Sequence, residues 1–297
     1  MSSPERPSAM AAWWLACRPK TLLAAVVPVV VGVGAAWGDG VFRGGPALAA
    51  LLGAVFIQIG TNFANDVFDF IQGADGEDRL GPTRAVAAGW LSPSQMKMGM
   101  VVAFGFAILL GVYLVWSAGW PVVVIGVASV LSGIFYTATR NSLAYLGFGD
   151  LFVMIFFGFV AVSGTYFVQA SAWPESWFLL AFPVGAWATN IIVVNNLRDR
   201  LSDARADKRT LAVRFGRSFC LAEFALLGSG AYVAMAWLAW VEASPWLWLP
   251  LLSLPAAIVT TRAVFRAEGA DLNPLLGATA RVLALLGVTW SIGLALS

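Results

Sequence analysis

Apolar residues fill most of the chain in long runs, and polar residues are gathered between the runs. A helix needs about 20 mostly apolar residues to cross the core of a bilayer. Nine runs approach or exceed this length, so the pattern predicts an all-α polytopic bundle of about nine transmembrane helices. The fifth run is dense in Phe and Val, but its length favours a helix over a strand. The predicted spans are residues 22–38, 46–70, 96–117, 119–139, 147–170, 176–196, 218–241, 246–264 and 276–296.

Composition and charge agree with a membrane protein. Hydrophobic residues make up 60% of the chain and charged residues only 11%, which excludes an ordinary soluble domain. If the N-terminus is cytoplasmic, 17 of the 18 Lys and Arg residues fall on the cytoplasmic side, and only Arg43 falls outside. Basic residues in short loops mark that side. The charges therefore predict a multi-pass protein of the cell membrane (the bacterial cytoplasmic membrane) with a cytoplasmic N-terminus.

The spans form one domain with no soluble module. We expect residues 1–10 to be a disordered tail, without a cleavable signal peptide, and residues 11–297 to be a single transmembrane domain. The chain contains no His, which excludes His-based acid–base catalysis and His metal sites. Cys17 and Cys220 both map near the cytoplasmic face, so we expect reduced thiols rather than a disulfide.

Two polar clusters interrupt the apolar pattern, at the ends of the second and sixth spans. Positions three and four apart share one face of a helix, so each cluster points several oxygen atoms in one direction. Such oxygens suit Mg²⁺. A charged helix end can also be a solvated interface, but two such ends weaken that alternative, because polar groups in membrane segments are costly and usually functional. The clusters comprise Asn62, Asn65, Asp66 and Asp69, followed by Asp75, and Asn195, Asn196, Asp199 and Asp203.

The connections that follow these two clusters resemble each other. The first contains "TRAV" at 83–86 and the second "TLAV" at 210–213, at similar distances after the acids. The two segments are four spans apart on the same predicted membrane face. The match predicts a duplicated bundle with two facing polar sites.

Basic residues lie close to both clusters in sequence. Arg binds phosphate oxygens in a bidentate way, and carboxylates hold a metal that bridges phosphates. A diphosphate at the membrane face with an apolar tail in the bundle is a polyprenyl diphosphate. Aromatic faces stabilise the allylic cation left when diphosphate departs, and Tyr136 and Tyr145 are well placed for this. The candidate diphosphate-binding residues are Arg79, Arg84, Arg140, Arg198, Lys208 and Arg209.

These motifs resemble the UbiA superfamily of intramembrane aromatic prenyltransferases. The resemblance rests on Asn65-Asp66-x-x-Asp69 with the later Asp75, and on Asp199-x-x-x-Asp203. The pieces "RPKT", "GPTRAV" and "KRTLAV" resemble the branch that prenylates 1,4-dihydroxy-2-naphthoate, and the matching pieces are spread over nearly the whole chain.

The resemblance implies nine helices around a central cavity, capped on the cytoplasmic side, where the active site lies. It implies Mg²⁺-dependent transfer from a polyprenyl diphosphate to 1,4-dihydroxy-2-naphthoate, with loss of CO₂ and diphosphate, to give a demethylmenaquinol for menaquinone biosynthesis. Two ions are expected. Asp66 and Asp69 would hold one, supported by Asn62, Asn65 and Asp75. Asp199 and Asp203 would hold the other, with Asn195 and Asn196.

Two positions stay open within this resemblance. Many relatives carry Tyr-x-x-x-Lys, whereas this chain has Arg at the last position of the stretch from Tyr136 to Arg140. Lys20 lies in "RPKT" and either contacts the acceptor or the diphosphate, or anchors the chain at the interface.

Two other functions are weighed. One is the same chemistry with another acceptor, such as 4-hydroxybenzoate. The other is a secondary transporter, although transporter sites lie at the membrane midplane and these acids map to one face. Membrane lipids are expected partners, and nucleic acid is not.

Overall fold

The computed structural model describes residues 7–73, 80–139 and 142–297, and within them the secondary structure is helical with no strand. Eight helical stretches of this part are long and apolar enough to cross a membrane. The α-helices are α1 Ala9–Ala16, α2 Pro19–Gly38, α3 Gly44–Ile71, α4 Pro93–Ala118, α5 Pro121–Phe135, α6 Gly149–Val153, α7 Ala161–Ala170, α8 Trp177–Arg205, α9 Leu211–Val241, α10 Leu254–Arg266 and α11 Asn273–Leu296. A π-helical segment, Met154–Val160, joins α6 to α7, and 3-10 segments, Pro245–Ser253 and Gly269–Leu272, precede α10 and α11.

The run predicted at 119–139 forms the shorter helix α5. Its 15 residues span about 22 Å, less than the roughly 30 Å of a hydrocarbon core. The following residues are tied to α3 instead. Gln72 Nε2 donates to the Thr137 carbonyl at 2.7 Å, and the Thr137 hydroxyl donates to Asn65 Oδ1 at 2.7 Å. These bonds hold the chain in a turn where the sequence pattern had continued the helix.

The helices pack mainly as neighbouring pairs, α3 with α4, α8 with α9 and α2 with α11. Trp187, Phe224 and Trp290 are among the largest fully buried side chains of the core between α8, α9 and α11. On α4, by contrast, Leu109, Val112 and Trp116 are exposed at helical spacing. Such an apolar outer stripe is suited to lipid rather than to water.

Two glycines allow α8 to approach the π-helical segment closely. A Cβ atom on Gly185 of α8 would lie 3.0 Å from Cα of Gly158 in the π-helical segment. π-helical turns are rare and occur often at functional sites. Here the segment widens the helix where α8 packs against it.

Successive spans alternate in direction, so α3, α5 and α8 end, and α2, α6, α9 and α11 begin, on one face of the bundle. Hydrogen bonds between these ends establish the arrangement. Asn62 Nδ2 near the end of α3 donates to the Cys17 carbonyl just before α2, at 3.0 Å. Arg198 Nη1 near the end of α8 donates to Asn273 Oδ1 at the start of α11, at 3.0 Å. We call this face the acidic face, because both polar clusters lie on it.

Candidate active site

Asp66 lies at the end of α3, with 1% of its surface exposed. Its two carboxylate oxygens accept hydrogen bonds from the backbone amides of Ala85 and Val86, at 3.1 and 3.0 Å. Ala85 and Val86 belong to the "TRAV" segment, and both are buried. These two bonds hold the "TRAV" segment over the end of α3. The sequence pattern predicted a metal-binding role for the same Asp66 carboxylate.

Asp69 lies one turn further along α3 and collects donors from three separate parts of the chain. Arg84 Nη2 lies 2.6 Å from Oδ2, and Lys208 Nζ lies 3.2 Å from Oδ1. The Tyr145 hydroxyl donates to Oδ1 at 3.3 Å. Lys208 also lies over the Tyr145 ring, 4.8 Å from its centroid. The connection after α8 thus reaches across to the first acidic cluster.

The two amides of the first cluster have structural contacts. Asn62 Nδ2 donates to the Cys17 carbonyl and to the Thr21 hydroxyl, the latter at 3.2 Å, which ties the start of α2 to α3. Asn65 accepts from Thr137 through its side chain and from Arg84 Nη1 through its main-chain carbonyl. Both amides therefore set the relative position of helix ends around the acids.

The second cluster lies on α8, around Arg198. The Arg198 guanidinium is buried and forms a fork with Asp199, with Nε and Nη2 at 2.7 and 2.6 Å from the two oxygens. It also donates to Asn195 Oδ1 at 2.8 Å, besides its bond to Asn273 on α11. Such a fork fixes the orientation of the carboxylate.

Tyr136 and Asp150 lie between the two clusters. Asn196 Nδ2 donates to Asp150 Oδ2 at 3.4 Å. Burial raises the pKa of the Tyr136 phenol above its usual value, and the negative charges of Asp150, Asp69 and Asp203 raise it further. Acids from α3, α6 and α8 therefore act on one phenol, which stays protonated at neutral pH. The two clusters converge on one site.

An apolar cavity of about 210 Å³ begins beside Tyr136 and runs into the bundle. Helices α2 to α5 and the stretch from α6 to α7 form its wall, and no charged side chain lines it. The resemblance implied nine helices around a central cavity, and this cavity lies within the bundle, beside the core to which α8 to α11 contribute.

Comparison with known proteins identifies this combination of helices and acidic clusters. Residues 25–293 match the UbiA prenyltransferase family. The chain belongs to this family. Its relatives include the 1,4-dihydroxy-2-naphthoate octaprenyltransferase of Escherichia coli (strain K12), 33% identical over 96% of each chain. The enzyme of the same name from Mycobacterium tuberculosis (strain ATCC 25618 / H37Rv) is 36% identical over 97% of each chain.

A solved structure shows the same fold at low sequence identity. The UbiA homolog from Archaeoglobus fulgidus bound to DMAPP and Mg²⁺ has a TM-score of 0.69 and 13% identity, covering 95% of this chain and 98% of that one. The match extends over nearly the whole of both chains, so the two proteins share one fold.

Asp66 and Asp69 on α3, and Asp199 and Asp203 on α8, each lie about one helical turn apart. No group of three Asp, Glu, Cys or His side chains in the described ranges is close enough to hold a metal by itself. Mg²⁺ is usually bound by one or two carboxylates and completes its octahedron with phosphate and water oxygens. The pairs Asp66 with Asp69 and Asp199 with Asp203 fit this mode.

Several predicted site residues lie elsewhere. Arg209 is exposed and pairs with exposed Asp207 at 3.5 Å, away from both clusters. Lys20 is exposed in the first turn of α2. Asp203, by contrast, stays with the second cluster: it is half-buried in the last turns of α8, where its carbonyl accepts from the backbone of Lys208 at 2.9 Å. Asp75, Arg79 and Arg140 lie outside the described residues.

Sequence reasoning missed three contributors to the site. Asp150 is the acid in "GFGD" at the start of the fifth predicted span, and its position inside an apolar run was the available signal. Asn273 follows the last cytoplasmic connection and binds Arg198. Arg18, in "RPKT", entered the prediction only as one of the basic residues on the cytoplasmic side. Its positive charge nevertheless attracts the Asp69 carboxylate.

Proposed function

We propose that the protein transfers the prenyl group of a polyprenyl diphosphate to 1,4-dihydroxy-2-naphthoate, with loss of CO₂ and diphosphate, giving a demethylmenaquinol. The observation that carries the proposal is the meeting of two acid pairs with Arg84, Arg198 and Lys208 at the mouth of an apolar cavity. Relatives that match nearly the whole chain carry this activity in their names, which supports the acceptor.

The cations of the site would bind the diphosphate. Arg84 and Lys208 come from the two long connections and meet at Asp69, so a diphosphate placed there has positive charge from both sides. Asp66 and Asp69 on α3, and Asp199 and Asp203 on α8, would hold Mg²⁺, with one ion for each pair. Bound Mg²⁺ supplies the positive charge that stabilises a departing diphosphate.

The cavity would hold the prenyl chain. Its aromatic lining includes Phe152 and Phe156, whose rings stack with centroids 5.7 Å apart, and Tyr136 at the mouth. Aromatic faces stabilise a cation, and the apolar wall keeps water from the allylic carbon until the acceptor ring attacks. The carbon–oxygen bond would break first, its electron pair leaving with the diphosphate. The acceptor ring would then form a carbon–carbon bond to the allylic cation and lose its carboxyl group as CO₂.

The charge distribution supports a cytoplasmic site. Nearly all Lys and Arg residues follow or precede helix ends of the acidic face, and Arg43 lies at the opposite end, where it donates to Ser117. By the positive-inside rule, we infer that the acidic face and the start of α2 face the cytoplasm.

Purified protein in detergent tests the proposed function. Incubation with a polyprenyl diphosphate, 1,4-dihydroxy-2-naphthoate and Mg²⁺ is expected to give the decarboxylated prenyl product by mass spectrometry, and EDTA is expected to abolish it. Asp66→Asn is expected to lower turnover at least about a hundredfold, because a neutral amide binds a metal more weakly than a carboxylate and its nitrogen cannot accept the second backbone bond.

The matched control is Asp271→Asn, since Asp271 is exposed on the 3-10 segment before α11. It is expected to retain full turnover. Product formation in EDTA, or full turnover by Asp66→Asn, would refute the proposal. Offering 4-hydroxybenzoate in parallel tests the acceptor, and preferential prenylation of that acid would reassign it.

A further inference from the structure

The polar stripe of α3 continues below the acidic cluster into the membrane. Gln58 and Thr61 precede Asn65 and Asp69 at helical spacing on the same face, and both line the apolar cavity. Gln58 lies eight residues before Asp66, which places it about 12 Å deeper along the helix. Gln58 is therefore too deep in the membrane for its polar side chain to be explained by binding of the diphosphate.

Helix α5 presents two more polar side chains at the same depth. Thr61 packs against Gly133, whose Cβ position would lie 2.4 Å from the Thr61 hydroxyl, and Asn65 bonds Thr137 one turn later. Both pairs are 72 residues apart, so α3 and α5 run parallel in one register. The same register places Gln58 level with position 130. Ser129 and Ser132 of α5, which also line the cavity, therefore lie beside it.

We call Gln58, Thr61, Ser129 and Ser132 the polar collar. None of the four side chains has a hydrogen-bond partner among the described residues. Other hydroxyls in the helices, those of Ser229, Thr261 and Thr279, each donate at 2.8 Å to a carbonyl one turn back, whereas the buried hydroxyls of Ser163 and Thr189 also lack a partner among the described residues. The collar therefore keeps its donors and acceptors turned towards the cavity.

Unpaired polar groups are costly in an apolar membrane interior, so four of them at one level indicate a polar ligand. The cavity wall carries no charged side chain, which favours a neutral group there over a carboxylate or a phosphate. Neutral amide and hydroxyl groups match neutral hydroxyls, because each can donate or accept.

We propose that the polar collar binds the phenolic hydroxyls of the aromatic acceptor and so holds its ring beneath the diphosphate. This inference rests on the proposed function and adds the residues that select the acceptor. The acceptor carboxylate then has no partner in the collar and lies towards the cations of the acidic face. The prenyl chain offers no hydrogen bonds, so it takes the apolar remainder of the wall.

The Michaelis constants of the two substrates, measured separately in purified protein, test the collar. Gln58→Leu is expected to raise KM for 1,4-dihydroxy-2-naphthoate about tenfold, the effect of losing one or two hydrogen bonds, and to leave KM for the polyprenyl diphosphate unchanged. Ser132→Ala is also expected to raise KM for the acceptor. It provides an independent test of the collar if Gln58→Leu folds poorly. Ser229→Ala, which removes an exposed hydroxyl outside the cavity, is the matched control.

A second probe separates hydrogen bonding from shape. 2-Naphthoate has the same ring system and carboxylate but no hydroxyl, so its inhibition constant is expected to be the same for the original protein and for Gln58→Leu. An unchanged acceptor KM in both variants, a rise in KM for the prenyl diphosphate instead, or a parallel weakening of 2-naphthoate would overturn the collar. Failure of the unsubstituted protein to form product would refute the proposed function itself.

Discussion

Lys208 and Arg209 are consecutive basic residues whose side chains the fold sends to different places. Lys208 is mostly buried between Asp69 and the Tyr145 ring, whereas the Arg209 side chain is 66% exposed beside Asp207. The backbone amide of Arg209 donates to the Tyr145 carbonyl at 2.8 Å, which fixes the turn that separates them. Their proximity in sequence gave both the same predicted role.

Substitution of each residue by Met tests this difference. Lys208→Met is expected to raise KM for the polyprenyl diphosphate tenfold or more, about the effect of a lost charge-assisted hydrogen bond. Arg209→Met is expected to change it less than about twofold, because exposed ion pairs contribute little. Steady-state kinetics of the purified variants measures both. Equal damage by the two substitutions would contradict the placement of Arg209.

Local spacing was enough to predict the acids of the site but not their partners. Asp66 and Asp69 share a helix face by periodicity alone, and the structure places both at one site. Their donors come from Arg84, Tyr145 and Lys208, which are distant in sequence and meet only through the turns between helices. Asp150 was missed for the same reason, since its partner Asn196 is 46 residues away.

At the scale of helices, α8 depends on small residues where it packs against the π-helical segment. A Cβ on Gly185 would meet Met154 Sδ at 2.7 Å and the Met154 carbonyl at 3.0 Å. Gly105 of α4 has nothing within 4 Å of its Cβ position. Substitution of each glycine by Ala therefore compares a tightly packed position with an open one, both in membrane helices.

Gly185→Ala is expected to destabilise the protein by about 1–3 kcal/mol, because the methyl group forces the two helices apart. Gly105→Ala is expected to be neutral or stabilising by up to about 1 kcal/mol through helix propensity. Thermal unfolding in detergent, followed by tryptophan fluorescence, compares them. An unfolding midpoint for Gly185→Ala at or above that of the unsubstituted protein would contradict the close contact.

Hydropathy predicted the spans well, because membrane helices need length and apolarity and little else. The exceptions have tertiary causes. Helix α5 ends early since Thr137 is bound to α3, and the π-helical segment has no periodic signal of its own. The matching "TRAV" and "TLAV" pieces fold differently, one bound to Asp66 and the other starting α9 with Thr210 as its cap. The two segments are therefore similar in sequence but differ in local structure.

At the scale of the whole molecule, nearly all Lys and Arg residues lie near the acidic face, and Arg43 lies at the opposite end. Each end also has an exposed acid that can be replaced by Cys. Asp207 is 81% exposed on the acidic face, and Glu242 is exposed after α9 at the other end. The orientation of the protein is known once it is determined whether Asp207 or Glu242 faces the cytoplasm.

Single cysteines at these positions, in a variant with Cys17 and Cys220 replaced by Ala, report the orientation. A membrane-impermeant maleimide is expected to label Asp207→Cys in inside-out vesicles and Glu242→Cys in right-side-out cells. Both are expected to react after detergent solubilisation, which controls for local access. The reverse labelling would place the acidic face outside the cell.

The ion pairs of the acidic face have a thermodynamic consequence. Asp69 is neutralised by Arg84 and Lys208, and Asp199 by Arg198, so each acid and each cation already has a protein partner. A cation released to a diphosphate leaves an acid ready for a metal, and an acid taken by a metal leaves a cation ready for a diphosphate. If Mg²⁺ and diphosphate bind here as proposed, the two ligands are expected to bind with positive heterotropic cooperativity, each strengthening the other by the same factor.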